Sequence, residues 1–236
     1  MTTSKKATKS SPTRTKGADA AETATAVDAE QGGVEASDTG AAGPTPPALL
    51  SEPNAAQLLA QQGEQMLDAR NTVANAAAKV VGDVLVLRPE MVVPLVDKFA
   101  KGIASKHKKV VQVAADALPQ IAKVAPARVA RHLELLKSSF AECSEEGQDG
   151  LVRTFAALCI ASVAYQKRLE PVLTEALAGA EGKTLLRWTQ TVLPALKGEP
   201  HARARAVVEG RLDALPKPIA QPIADFLGIK LRPRPR

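Results

Sequence analysis

The chain has 236 residues, of which 45% are hydrophobic and only 3% are aromatic, so it can bury one aliphatic core but offers few rings for stacking on nucleic-acid bases. The formal net charge of +6 overstates how basic the folded part is, because residues 51–229 hold 22 Lys/Arg against 19 Asp/Glu and the last seven residues hold four cations and no anion. Two cysteines are too few for a disulfide framework, no apolar segment follows the N-terminus, and no apolar run is long enough to span a bilayer, so we expect a soluble cytoplasmic protein without membrane contact.

Residues 1–50 are rich in Thr, Ser, Ala, Gly and acidic side chains and contain no aromatic residue. Such a segment buries too little apolar surface to offset the entropy lost on ordering, so the composition predicts a disordered tail. Its first 16 residues are basic and the remainder is acidic. A solubilising tail and a basic tip that touches polyanions both fit this arrangement.

The first helix is predicted to begin near Ser51, which can act as an N-cap with Pro53 in the first turn. Apolar residues continue at helical spacing from Leu59 to Val84 and favour one long helix. Two interior glycines leave the boundaries of this helix open.

Beyond Arg88 the pattern is typical of helical hairpins. Helix 91–104 is predicted to pair with 109–124, helix 128–143 with 149–165, and helix 172–180 with 184–196, while 202–215 and 219–227 close the array. Prolines suit helix joints because they stop one helix and preset φ for the next. They are predicted to mark the joints at Pro89, Pro126, Pro171, Pro200, Pro216 and Pro218.

Three segments of the chain, 112–121, 153–160 and 187–196, align with one another and form a recurring element whose central residues are Leu118, Leu158 and Leu193. Pro119 and Pro194 directly follow two of these leucines. The leucines are separated by 40 and 35 residues, a period that is typical of stacked helical repeats. The two prolines are predicted to kink their helices or to begin a new turn.

The proline-marked joints and the stretch Asp-Ala-Leu-Pro-Gln-Ile-Ala-Lys at 116–123 resemble HEAT repeats over Pro89 to Leu215, although armadillo or other α-α repeats would look similar. The resemblance implies an all-α fold: a short α-α superhelix, or HEAT-like solenoid, of three to four units with disordered ends. The expected organisation is a disordered tail over 1–50, a HEAT-like repeat domain over 51–229 and a basic Arg/Pro tail over 230–236. The family implies a scaffold for protein contacts, sometimes for nucleic acid, and no catalytic residues.

Charge varies along the folded part in blocks: 99–137 is basic, 138–182 is acidic and 183–217 is basic. These blocks fit either distinct charged patches or ordinary solvated helix faces. The densest basic cluster falls in a predicted turn around His107, and a second one forms the C-terminus. The candidate contacts to a polyanion or a partner are Lys101, Lys106, Lys108, Lys109, Lys230, Arg232, Arg234 and Arg236.

Other motifs predict no catalytic, cofactor or metal site. Gly-Lys-Thr at 182–184 lacks the first glycine of a phosphate-binding loop, since position 177 is Leu, and a Gly-rich turn between helices is favoured. The acidic turn 142–149 lacks the residue order of a calcium loop. Neither Cys143 nor Cys159 lies within a few residues of a His, and they are interpreted as a loop-proximal thiol and a core thiol, with a Cys/His nucleophile pair left open.

Three functions are compatible with these features. The first hypothesis is a non-enzymatic protein-interaction scaffold or adaptor. The alternative is a nucleic-acid-associated protein that binds phosphates through Lys106–Lys109 and the C-terminal tail. The third is an enzyme of the HEAT-like DNA-repair kind, which would require Trp188 beside a carboxylate and several arginines on a concave face.

Overall fold

The computed structural model describes residues 50–231, and every regular element in that range is helical, as predicted. Of the predicted disordered tails 1–50 and 230–236, residues 1–49 and 232–236 lie outside the described residues. The prediction does not hold for Leu50 and Leu231, which are partly buried against the core. The α-helices are α1 (Ala55–Gln65), α2 (Asn71–Leu87), α3 (Val96–Gly102), α4 (Lys108–Val124), α5 (Pro126–Ala130), α6 (Leu133–Ser139), α7 (Glu145–Ala161), α8 (Val163–Gly179), α9 (Gly182–Val192), α10 (Gly198–Arg211) and α11 (Lys217–Leu227). Short 3-10 segments cover Pro89–Leu95, Leu193–Ala195 and Leu212–Ala214. None of the helices within 50–231 is both long and apolar enough to cross a bilayer.

Five helices form a row in which each packs against the next. The row runs from α2 to α4, α7, α9 and α11, and we call it the central row. The other helices pack onto it or onto each other: α1 lies on α2, α3 and α5 lie on α4, α8 lies on α7, and α10 lies on α8. The most extensive contact of all joins α4 to α7.

Polar contacts between neighbouring helices recur at a nearly constant separation in sequence. Most of the long-range side-chain hydrogen bonds join residues 33 to 40 positions apart. The pairs are Asn71 with His107, Ile103 with Cys143, Asp116 with Arg153, Glu134 with Arg168, Glu145 with Thr184, Asp149 with Trp188, Glu170 with Arg203 and Leu177 with Arg211. The separation matches the spacing of the recurring leucines.

Those leucines occupy related places in the central row. Leu118 lies on α4, Leu158 lies on α7, and Leu193 begins the 3-10 turn that follows α9. All three are buried. The recurring element of the sequence therefore marks successive members of the central row.

The α4–α7 contact is a backbone contact. A Cβ atom placed on Gly150 of α7 would fall 2.5 Å from Ala115 Cα and still closer to Ala115 Cβ on α4, which is well inside any real carbon–carbon contact. One turn later, the Thr154 hydroxyl donates to the Gly150 carbonyl at 2.7 Å. The buried Thr154 hydroxyl therefore has its hydrogen-bond partner within the same helix. Only glycine at position 150 lets the two helices approach this closely.

The predicted single helix at the start of the domain is wrong, because the structure has two helices, α1 and α2, packed on each other. The turn that separates α1 from α2 contains Asp68. Its carboxylate accepts hydrogen bonds from the backbone N–H of Arg70 at 2.8 Å and from the Arg70 guanidinium at 3.0 Å. The Arg70 interactions lower the pKa of Asp68 to about 2. This turn chemistry competes with the helix and redirects the chain.

The prediction that Pro171 marks a joint is also wrong. Ser162 ends α7, and its side chain accepts from the Ala164 N–H at 3.2 Å to cap α8, which continues through Pro171 to Gly179. Pro171 is exposed, so water can satisfy the carbonyl that loses its helical donor. The predicted helix 128–143 is likewise divided, into α5 and α6.

The remaining prolines lie where they were expected, at helix joints. Pro89 and Pro126 are first residues of their elements, Pro200 lies in the first turn of α10, and Pro216 and Pro218 flank the first residue of α11. Among the two prolines of the recurring element, Pro194 lies in the 3-10 turn after α9, whereas α4 continues through Pro119.

Substitution Gly150→Ala is expected to lower the free energy of unfolding by about 3 kcal/mol or more, because overpacking a tight core costs about 1–3 kcal/mol and here backbone atoms would have to move. Gly210→Ala on α10 is the matched control, since nothing lies within 4 Å of a Cβ atom there. The control should gain up to about 1 kcal/mol of helix propensity. Urea unfolding followed by circular dichroism measures both, and equal stability of the two variants would contradict the backbone contact.

Candidate functional site

A groove opens on the central row. It has a cavity volume of about 630 Å³ and lies between the C-terminal halves of α2 and α7, over most of the length of α4. Its floor is aliphatic and consists of Leu85, Val113, Pro119, Ala156 and Ala157, all of them buried. The volume falls in the range of ordinary ligand-binding cavities. We call this hollow the groove.

Two large apolar side chains stand at the mouth of the groove. Val86 is 83% exposed and Ile160 is 71% exposed, and they belong to different helices, α2 and α7. Each follows a buried core residue, Leu85 or Cys159. Successive residues of a helix point about 100° apart, so the second apolar residue of each pair turns away from the core and toward solvent.

The rim of the groove is basic. Lys79, Lys109 and Lys123 are exposed on it, and none of the three forms an ion pair within residues 50–231. Asp83 and Asp116 also line the groove, but Asp116 already lies 3.4 Å from the Arg153 guanidinium. The rim therefore has an excess of unpaired positive charge.

A second hollow, of about 430 Å³, adjoins the groove where α4, α7 and α9 meet. Asp149 is one of its lining residues. Its carboxylate accepts from the Trp188 indole N–H at 3.0 Å and forms ion pairs with Arg187 Nε at 2.7 Å and with Arg153 Nε at 3.2 Å. One hydrogen-bond donor and two guanidinium groups therefore surround the carboxylate.

This cluster bears on the hypothesis of a DNA-repair enzyme. Trp188 does lie beside a carboxylate and two arginines, as that chemistry would require. The indole ring is buried, however, at 4% exposure, and its centroid lies 6.1 Å from the centroid of the Phe140 ring. A buried ring cannot stack on an extruded base, so the arrangement favours a structural role for Asp149 and Trp188.

The Gly-Lys-Thr motif lies in the turn between α8 and α9. Gly182 has a φ of +51° and begins α9, which explains the glycine at this position. The Thr184 hydroxyl donates to Glu145 Oε1 at 2.9 Å and so links α9 to α7. The motif serves as a helix–helix turn, as predicted.

The predicted basic cluster is divided by the structure. Lys109 lines the groove, and its ammonium donates to Gln112 Oε1 at 3.3 Å, whereas Lys108 lies 3.3 Å from Glu146. Lys101 and Lys106 are exposed outside the groove lining. His107 is buried against Asn71, with Nδ1 3.1 Å from the amide oxygen.

Of the C-terminal candidates, Lys230 is exposed after α11. Arg232, Arg234 and Arg236 lie outside the described residues. Whether these basic residues contact a polyanion or a partner stays a prediction.

Both thiols are buried. Cys143 donates to the Ile103 carbonyl at 3.3 Å, and burial raises its pKa to about 11. Burial raises the pKa of Cys159 to about 12. Thiols with such pKa values are poor nucleophiles at neutral pH. Within residues 50–231 no group of three or more His, Cys, Asp or Glu side chains is arranged to hold a metal ion.

The prediction from sequence missed the groove. Lys79, Val86 and Ile160 received no role, although each left a signal. Val86 and Ile160 are apolar residues placed directly after a core residue, one position beyond the buried face of an amphipathic helix. Asp149 and Arg153 are spaced four apart, as an ion pair on one helix face requires.

No protein-family model matches the chain, and no curated protein is significantly similar to it in sequence. The resemblance to HEAT repeats therefore stays a prediction.

Substitution Asp149→Asn is expected to cost about 1–3 kcal/mol of stability, because it removes the charge that two arginines and the indole N–H share at a site only 17% exposed. The matched control is Asp116→Asn, whose carboxylate is 51% exposed and has one arginine partner. It should cost less than about 1 kcal/mol. Unfolding in urea can be followed by fluorescence of Trp188, which is the one tryptophan of the chain. A larger loss for the Asp116 variant would contradict the assignment of Asp149 as the central acceptor.

Proposed function

We propose that this chain is a non-enzymatic adaptor, built from HEAT-like repeats, that binds another protein in the groove of the central row. The observation that carries the proposal is the pair Val86 and Ile160, exposed on opposite helices above an aliphatic floor. Single exposed apolar residues are ordinary on protein surfaces. Two of them at the mouth of one concave, apolar-floored hollow are typical of an interaction site.

Three of the side chains that could carry chemistry are unavailable for it. The Asp149 carboxylate is held by the Trp188 indole N–H and two arginines, and both thiols are buried with raised pKa values. The groove instead offers aliphatic surface and lysines. Aliphatic surface with a polar rim is the composition by which proteins recognise other proteins.

Binding of nucleic acid, the alternative, finds less support in the groove. The lining contains no aromatic side chain on which a base could stack. The lysines of the rim are therefore better matched by the carboxylates of a protein.

Photo-crosslinking inside the source cells tests the proposal. With a benzophenone amino acid in place of Ile160, irradiation should give discrete adducts between the chain and one or a few proteins, because the side chain would lie in the interface. The matched control places the same amino acid at Leu135 on α6, which is 41% exposed and does not line the groove.

The proposal requires that the protein adducts differ between positions 160 and 135. Protein adducts from position 160 and not from position 135 are the expected result. Equal adducts from both positions, or none from position 160, would count against the groove as the binding surface. Adducts that nuclease treatment removes would indicate nucleic acid instead.

A further inference from the structure

We propose that the groove binds an acidic amphipathic helix of a partner protein, with apolar side chains on its floor and carboxylates on the lysines of its rim. The inference rests on the proposed function and specifies the chemistry of the partner.

The lining of the groove suits the apolar face of a helix. Its floor is contributed by three neighbouring helices, with Leu85 on α2, Val113 on α4 and Ala157 on α7. These side chains are small or aliphatic, so they match a row of leucine-type side chains. Amphipathic helices lie in such grooves with anchors at i, i+3, i+4 and i+7.

The exposed apolar pair adds contact at both sides. Val86 and Ile160 stand on the outer helices, α2 and α7, while α4 lies between them. A ligand helix lying over α4 would cover both side chains. Removing that apolar area from water would contribute favourable binding free energy, and this contribution would not depend on the partner's exact sequence.

Charge complementarity identifies the partner as acidic. The side chains of Lys79 and Lys123 form neither an ion pair nor a hydrogen bond within residues 50–231, and the Lys109 ammonium has only the neutral Gln112 side chain as its partner. The three ammonium groups come from two helices and border one hollow. Carboxylates on the polar side of a bound helix would pair with them, whereas lysines there would be repelled.

Asp83 and Asp116 restrict the fit. Asp116 faces Arg153 at 3.4 Å and is thereby compensated. Asp83 has no cation within ion-pair distance among the described residues and lies on the α2 side of the groove. A bound helix would therefore keep its acidic side chains away from Asp83.

Fluorescence anisotropy with designed peptides tests the inference on the full chain. The probe is a labelled helical peptide of about four turns with leucines at i, i+3, i+4 and i+7 and glutamates on both flanks. One companion peptide carries lysines in place of the glutamates, and another carries serines in place of the leucines. A single-stranded oligonucleotide of similar length is the nucleic-acid probe.

Only the leucine–glutamate peptide is expected to bind well. The double variant Lys79→Glu/Lys123→Glu should lower the affinity for this peptide about tenfold or more, since two attractive charge pairs become repulsive. The matched control, Lys101→Glu/Lys106→Glu, has the same charge change outside the groove and should alter the affinity by less than about twofold. Thermal melting by circular dichroism establishes that both double variants are folded.

The outcomes separate this inference from the proposed function. If Ile160→Glu abolishes peptide binding but the lysine peptide binds as well as the glutamate peptide, the groove still binds proteins and the acidic specificity is wrong. If no peptide binds, or if only the oligonucleotide binds, the inference is wrong, and the crosslinking result at position 160 decides the proposed function by itself. If sedimentation shows a dimer that Ile160→Glu dissociates, the occupant is a second copy of this chain and the inference is also wrong.

Discussion

The backbone contact between α4 and α7 determines the rest of the described structure. Gly150 lies against the Cα atom of Ala115, and this approach places the two helices closer than ordinary side-chain packing allows. The residues of α7 on either side of the crossing then acquire their roles. Asp149 lines the second hollow, Arg153 lines both hollows, and Ala157 and Ile160, further along the helix, line the groove. The groove is thus a consequence of how closely two central helices cross.

Polar contacts repeat outward from this crossing and join one helix to the next. Glu170 of α8, only 10% exposed, accepts from the Arg203 guanidinium through both oxygens at 3.0 and 3.3 Å. The buried Gln166 amide donates to the carbonyls of Cys159 and Ala195 and accepts from the Lys197 N–H. The bonds of Gln166 satisfy backbone groups at helix joints, where the helices leave them without partners. They make the joints specific, while aliphatic burial supplies most of the stability.

The sequence predicts the periodic part of this structure well, because periodicity follows from local rules. The recurring leucines identify successive helices of the central row, and the prolines at element starts identify most joints. The prediction of one long first helix is wrong because a turn at Asp68 overrides helix propensity. The prediction of a joint at Pro171 is wrong because an exposed proline is tolerated inside the helix there. The groove is harder still to predict. Lys79 and Lys123 are 44 residues apart in sequence, and they border one hollow only because of the distances at which α2, α4 and α7 pack.

Native-state hydrogen exchange tests most directly whether the α4–α7 crossing supports the rest. If the row depends on this contact, amides in the middle of α4 and α7 should open only with global unfolding, and protection should fall along the row toward α2 and toward α11. Equal protection of all the helices, or the highest protection in α2 or α11, would contradict the account.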